Sequence, residues 1–188
     1  MNKRYLSWTD VESQVAELCR QITQDNWRPD YVIGLTRGGL LPATMISHWF
    51  DVPMHALGVS LRDGDNNDCE SNLWMAEDAF GYVPAVHDTG SDSVAGRVDP
   101  DSRKQLLIVD DINDSGATMQ WIHSDWQSGC LPADPRWDEI WNFSVRHAVL
   151  VNNAASAFTD IDYAAQVIDK RERPEWIVFP WEEWWTRR

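Results

Sequence analysis

One stretch of this chain limits its fold more than any other. Leu106-Leu107-Ile108-Val109 is an uninterrupted apolar run, which suits a strand buried on both faces of a sheet. It passes without a break into Asp110-Asp111-Ile112-Asn113-Asp114-Ser115-Gly116-Ala117-Thr118. Met119, Ile122 and Trp126 then recur at helical spacing, and Gly129 is placed to end that helix. Small residues opening a helix expose backbone N–H groups, and the helix dipole favours an anion there. Ser115 and Thr118 add hydroxyl donors. Carboxylates do not bind phosphate, so Asp110 and Asp111 should face sugar hydroxyls or a hard cation such as Mg²⁺. Phosphate beside a polyol, with Mg²⁺, describes a sugar phosphate.

The remainder alternates strands and helices. Thr9-Asp10-Val11-Glu12 reads as a capping box, with Val11, Val15, Leu18 and Ile22 following on one helical face. Tyr31-Val32-Ile33-Gly34-Leu35 is a short apolar strand ending in Thr36-Arg37-Gly38-Gly39, and Leu40 to Phe50 is a helix with Pro42 tolerated in its first turn. Further strands are expected over His55–Leu61, Ser144–Val151 and Ala165–Ile168. The pattern implies a single α/β domain over residues 1–188, a parallel sheet flanked by helices. Ligands of such sheets bind outside the carboxyl ends of the strands. Thr36–Gly39 and Asp110–Thr118 both fall there. Arg62–Gln105, rich in Asp, Glu and Gly, reads as a long acidic, flexible loop with room for one hairpin.

Charge narrows the partners. Sixteen basic against 30 acidic residues give a net −14, a surface that repels nucleic-acid backbones and anionic lipid, so neither is an expected partner. No apolar run reaches the roughly 18 residues of a membrane span, and Met1-Asn2-Lys3-Arg4 is not followed by an apolar signal core. Cys19, Cys69 and Cys130 form no Cys-x-x-Cys pair, and the histidines lack zinc-ligand spacing. A cytoplasmic protein is expected. The absence of a Gly-x-x-x-x-Gly-Lys motif argues against a P-loop phosphate binder.

Residues 106–118 resemble the phosphoribosyl-diphosphate (PRPP) signature of type I phosphoribosyltransferases: an apolar strand, two acidic residues, two variable positions, Asp, Ser or Thr, Gly, any residue, Thr. Tyr31 to Pro42 is similar to the pyrophosphate loop of the bacterial xanthine-guanine enzymes of that family, and Trp176-Ile177-Val178-Phe179-Pro180-Trp181-Glu182 is similar to their nucleobase hood. The resemblance implies a small C-terminal hood, residues 169–188, over the carboxyl edge of the sheet. It implies transfer of ribose 5-phosphate from PRPP to a purine, most readily a 6-oxopurine, with Mg²⁺ as cofactor and a homo-oligomer of two or four copies. Thr36, Arg37, Gly38 and Gly39 would take the pyrophosphate, with a non-proline cis peptide at Thr36-Arg37. Asp110 and Asp111 would hold the ribose hydroxyls and the metal. Asp114, Ser115, Gly116, Ala117 and Thr118 would cradle the 5′-phosphate, with Arg37 and Asp114 the catalytic pair. On the base side, Asp114 would face the imidazole ring, Trp176 would stack, and Ile177 would offer its backbone.

Three departures from the family pattern matter. Its purine-reading lysine aligns with Asn153, or with Asn152 if the register slips by one. An amide can donate or accept, so an amino purine is not excluded. The long loop is acidic, with only Arg62 and, more remotely, Arg97, Arg103 and Lys104 to reach a pyrophosphate. It is also longer than in the compact bacterial enzymes. A transferase for adenine or a pyrimidine, and a non-catalytic PRPP-binding regulator, are the competing readings.

Overall fold

A computed structural model describes residues 2–59, 61, 69–83 and 96–186. In chain order it contains β1 (Asn2–Tyr5), α1 (Trp8–Gln24), β2 (Tyr31–Leu35), α2 (Leu40–Phe50), β3 (Met54–Leu57), α3 (Leu73–Phe80), β4 (Tyr82–Val83), β5 (Arg97–Val98), β6 (Leu106–Asn113), α4 (Ala117–Gly129), β7 (Val145–Asn153), β8 (Tyr163–Ile168) and β9 (Glu175–Val178). A five-stranded sheet has the order β3-β2-β6-β7-β8, parallel at every pairing. The fold is α/β, as expected.

The apolar run of β6 explains the layering. Leu106 and Ile108 join one buried cluster while Leu107 and Val109 join the other, as a strand's alternation requires. On one face α1 presents Val11, Val15, Leu18 and Ile22, and α2 presents Ala43 and Ile46. On the other, α3 and α4 supply Met75, Phe80, Met119, Ile122 and Trp126. Burying both faces leaves only the strand ends open to a ligand.

Several boundaries differ from the sequence expectation. α1 begins earlier because Ser7, not Thr9, caps it: Asp10 N donates to Ser7 Oγ (3.1 Å) and Ser7 N donates to Asp10 Oδ2 (2.7 Å). β3 stops at Leu57. β6 runs past its apolar part to Asn113, because β7 keeps pairing with it (Ile112 to Val151, Asn113 to Asn152). Within Arg62–Gln105 the structure has a helix, α3, whose Met75, Ala76, Ala79 and Phe80 are buried as a stripe. β4 and β5 pair antiparallel, as a hairpin would. Residues 62–68 and 84–95, Arg62 included, lie outside the described residues. The hood is built by β9, which pairs in parallel with β1 so that Trp176 lies opposite Lys3. Among the described residues no helix is long and apolar enough to cross a membrane.

The core also holds two histidines. His123 on α4 and His147 on β7 share one hydrogen bond (Nε2 to Nε2, 3.1 Å), and Trp141 stacks on His123 with ring centroids 3.6 Å apart. Burial lowers the His123 pKa from 6.5 to about 3, the neighbouring His147 adding to the effect. Between those values the unfolded chain binds more protons than the folded one, so stability falls as pH drops from 6.5 toward 3. His123→Gln keeps a neutral polar partner that never charges. Denaturant titrations at pH 7 and pH 5 should show a larger loss for wild type than for His123→Gln; equal losses would remove His123 as the cause.

Candidate active site

At the carboxyl ends of β2 and β6 a cavity of about 1130 Å³ opens beneath the hood. A smaller hollow of about 620 Å³ lies beside Tyr31, His55 and Trp74, but its Lys104 is already paired with Asp78 at 2.9 Å. The larger cavity is the one that gathers the sequence motifs.

The turn after β2 meets the end of β6 closely. The Thr36–Arg37 peptide is cis. A Cβ on Gly38 would fall 1.8 Å from Asp111 Oδ2, and one on Gly39 would fall 2.2 Å from the Val109 carbonyl oxygen. Glycine is therefore required for the loop to lie against β6. Arg37 is exposed on the cavity wall, with Thr36 and Gly38 beside it.

The second loop leads into α4. Gly116 has φ +89°, and a Cβ there would sit 2.4 Å from Phe158 N. The turn thus rests on the β7–β8 connection, and Ser115, Ala117 and Thr118 line the cavity at the helix N-terminus. N–H groups and hydroxyls at a helix N-terminus suit an anion. Asp110 and Asp111 also line the cavity, and Asp110 Oδ1 accepts from Asp111 N at 2.9 Å. Two adjacent carboxylates offer hard oxygens that fit Mg²⁺, which is usually held by one or two carboxylates together with substrate phosphates. Among the described residues no group of three potential ligands could hold a metal without such help.

On the base side the structure departs from the alignment. Asn153, only 6% exposed, lies behind Asp114 and is not among the described residues lining the cavity. Its Nδ2 donates to Asp114 O (3.0 Å) and Oδ1 (3.3 Å), and its Oδ1 accepts from Ala155 N and Lys170 N (both 3.1 Å). Two donors and two lone pairs exhaust an amide, so Asn153 has none left for a base. Asn152 is no substitute: its Oδ1 accepts from Asn113 Nδ2 at 2.9 Å, and it is not among the described residues lining the cavity.

Lys170, which the sequence reading passed over, occupies the wall instead. Its Nζ lies 2.7 Å from Asp114 Oδ2 and 6.0 Å from the centre of the Trp176 ring. Trp176 is 46% exposed toward the cavity, while the Ile177 side chain is buried. Trp181, stacked on Phe179 (centroids 4.9 Å apart), lines the same space with Trp185. No sequence spacing marked Lys170, because it lies beyond β8 rather than at the end of β7.

The chain resembles known proteins along nearly its whole length. The family model described as a phosphoribosyl transferase domain matches residues 1–186. Xanthine phosphoribosyltransferase 1 of Saccharomyces cerevisiae is 26% identical over 96% of this chain and 90% of its own length. A xanthine-guanine phosphoribosyltransferase of Cereibacter sphaeroides is 26% identical over 95% of this chain and 86% of its own. The crystal structure of a purine phosphoribosyltransferase from Pyrococcus horikoshii Ot3 superposes with a TM-score of 0.61 at 25% identity, covering 97% of this chain and 96% of that one.

Proposed function

The chain belongs to the phosphoribosyl transferase domain family, and on that premise we propose that it transfers ribose 5-phosphate from PRPP to a 6-oxopurine. The observation that carries the proposal is the meeting, in one cavity, of the Thr36–Gly39 turn, the α4 N-terminus and the exposed Trp176 ring. Donors for two phosphate groups and a stacking face for a base thus lie in one space.

In this reading Ser115, Gly116, Ala117 and Thr118 hold the 5′-phosphate, and Asp110 and Asp111 orient the ribose hydroxyls. Thr36, Arg37, Gly38 and Gly39 receive the pyrophosphate. The bond from C1′ to the pyrophosphate oxygen breaks with its electron pair leaving on pyrophosphate, and a purine nitrogen forms the new bond to C1′. Asp114 accepts the ring proton that the base gives up. Mg²⁺, when bound by Asp110 and Asp111 together with PRPP, would offset charge on the departing group. The net charge of −14 belongs to the whole surface and slows approach of PRPP more than it weakens these local contacts.

The test is incubation with Mg²⁺-PRPP and guanine, xanthine, hypoxanthine, adenine and a pyrimidine, followed by detection of nucleoside monophosphates. Product from oxopurines supports the proposal, and product from adenine or the pyrimidine alone overturns it. Trp176→Ala should raise KM for guanine, xanthine and hypoxanthine together, because stacking ignores the edge pattern; about 1–3 kcal/mol per base is the usual worth of such a contact. Unchanged KM for all three would remove Trp176 as the stacking face.

A further inference from the structure

We propose that Lys170 reads the oxygen at C6 of the base, and that Asn153 is the clasp that positions it. The proposal rests on the 6-oxopurine reading above and names the residue that sets the choice of base.

Three observations meet at one point. The Lys170 ammonium is paired with Asp114 Oδ2 at 2.7 Å, its side chain only 16% exposed. It also lies over the Trp176 ring, 6.0 Å from its centre, so a base entering against that face comes within reach of the ammonium. Third, Asn153 ties the group together, accepting from Lys170 N while donating to Asp114 O. The carboxylate and the ammonium therefore form a fixed acceptor–donor pair, with the ammonium facing the Trp176 ring.

That pair has a chemical complement. The imidazole nitrogen N7 and the substituent at C6 lie side by side on a purine. With a proton on N7 and an oxygen at C6, the base offers a donor and then an acceptor, matching Asp114 and Lys170 in turn. An ammonium carries three donors and no acceptor, so it keeps its bond to Asp114 while giving another proton to the oxygen. An amino group at C6 presents only hydrogens to it and is refused. The cation thus comes from the segment after β8, and the asparagine at the end of β7 holds it in place. Asn153 touches protein groups only, and its effect on the base passes through Lys170 and Asp114.

Inosine 5′-monophosphate and adenosine 5′-monophosphate differ on this edge and share the ribose phosphate, so their dissociation constants isolate the contact without requiring turnover. Titration calorimetry on wild type should find the oxo nucleotide preferred. Lys170→Met should cut that preference about 10- to 100-fold, the worth of one charge-assisted hydrogen bond, with a melting temperature near wild type as a check on the fold. Lys170→Gln, a neutral donor, should fall between. Asn153→Ala should reduce the preference in the same direction by a smaller factor. An equal preference in wild type and Lys170→Met, or a wild type that prefers the amino nucleotide, overturns the assignment; an unmoved preference in Asn153→Ala removes the clasp. The functional reading fails separately, if wild type forms no nucleotide from Mg²⁺-PRPP and any base while the Lys170-dependent preference holds.

Discussion

Asp114→Asn lowers kcat/KM by about 100- to 10,000-fold, the range usual for a positioned acid–base group, and leaves the melting temperature close to wild type. Little in the fold depends on the carboxylate. The side chain is 46% exposed, and the backbone oxygen of the same residue keeps its bond from Asn153. What the amide cannot do is take a proton from the base or hold the Lys170 ammonium with a full charge. Binding of PRPP should suffer far less, because the proposed phosphate donors are residues 115–118 and the turn after β2, which line the cavity separately. Steady-state kinetics at saturating PRPP, beside calorimetric titration with Mg²⁺-PRPP, separate the two quantities. A rate loss under about threefold, against that usual range, would make Asp114 a spacer in the phosphate loop and nothing more.

Much of the fold was legible because burial on two faces leaves a simple record. Leu106–Val109 could hardly be anything but a central strand, and the glycine turns after β2 and β6 marked the strand ends where the cavity opens. The proposed sugar-phosphate site rests on the same residues. Other features were illegible for local reasons. Leu73-Trp74-Met75 looked like an apolar island in an acidic loop, since the helix it starts is short and half its buried stripe is alanine. The cap of α1 was misplaced because Asp10 fills the role that Glu plays in the commoner capping box. Lys170 was missed for a deeper reason. The alignment compares positions along β7, whereas the cavity compares atoms in space. Lys170 lies 17 residues beyond Asn153, and their meeting depends on how the chain leaves β8. Hydrogen-bond saturation of Asn153 is a three-dimensional fact with no one-dimensional trace.

Gly38→Ala should weaken Mg²⁺-PRPP binding by about 100-fold or more, although it adds a single methyl group to an accessible loop. The added Cβ would lie 1.8 Å from Asp111 Oδ2 and 2.3 Å from its carboxyl carbon, far inside contact distance, so the carboxylate or the loop must move. Asp111 cannot withdraw along its strand, because its neighbours Asp110 and Ile112 are paired with Val149 and Val151 of β7. Its side chain must therefore swing away from the cavity, or the Arg37–Gly39 turn must lift from β6. Either movement separates the groups proposed to hold the ribose and metal from those proposed to hold the pyrophosphate. Two charge-assisted contacts at about 1.5–3 kcal/mol each would account for the loss. Stability should change little by comparison, since the strain can be relieved toward the open cavity. The double variant Gly38→Ala with Asp111→Ala distinguishes the two movements. If the methyl acts only by displacing the carboxylate, the double variant binds no worse than Asp111→Ala alone, a strong departure from additivity. If the two losses add, the turn itself has moved, and the coupling runs through the backbone of residues 36–39. Unchanged PRPP affinity in Gly38→Ala would mean that Asp111 has no part in holding the substrate.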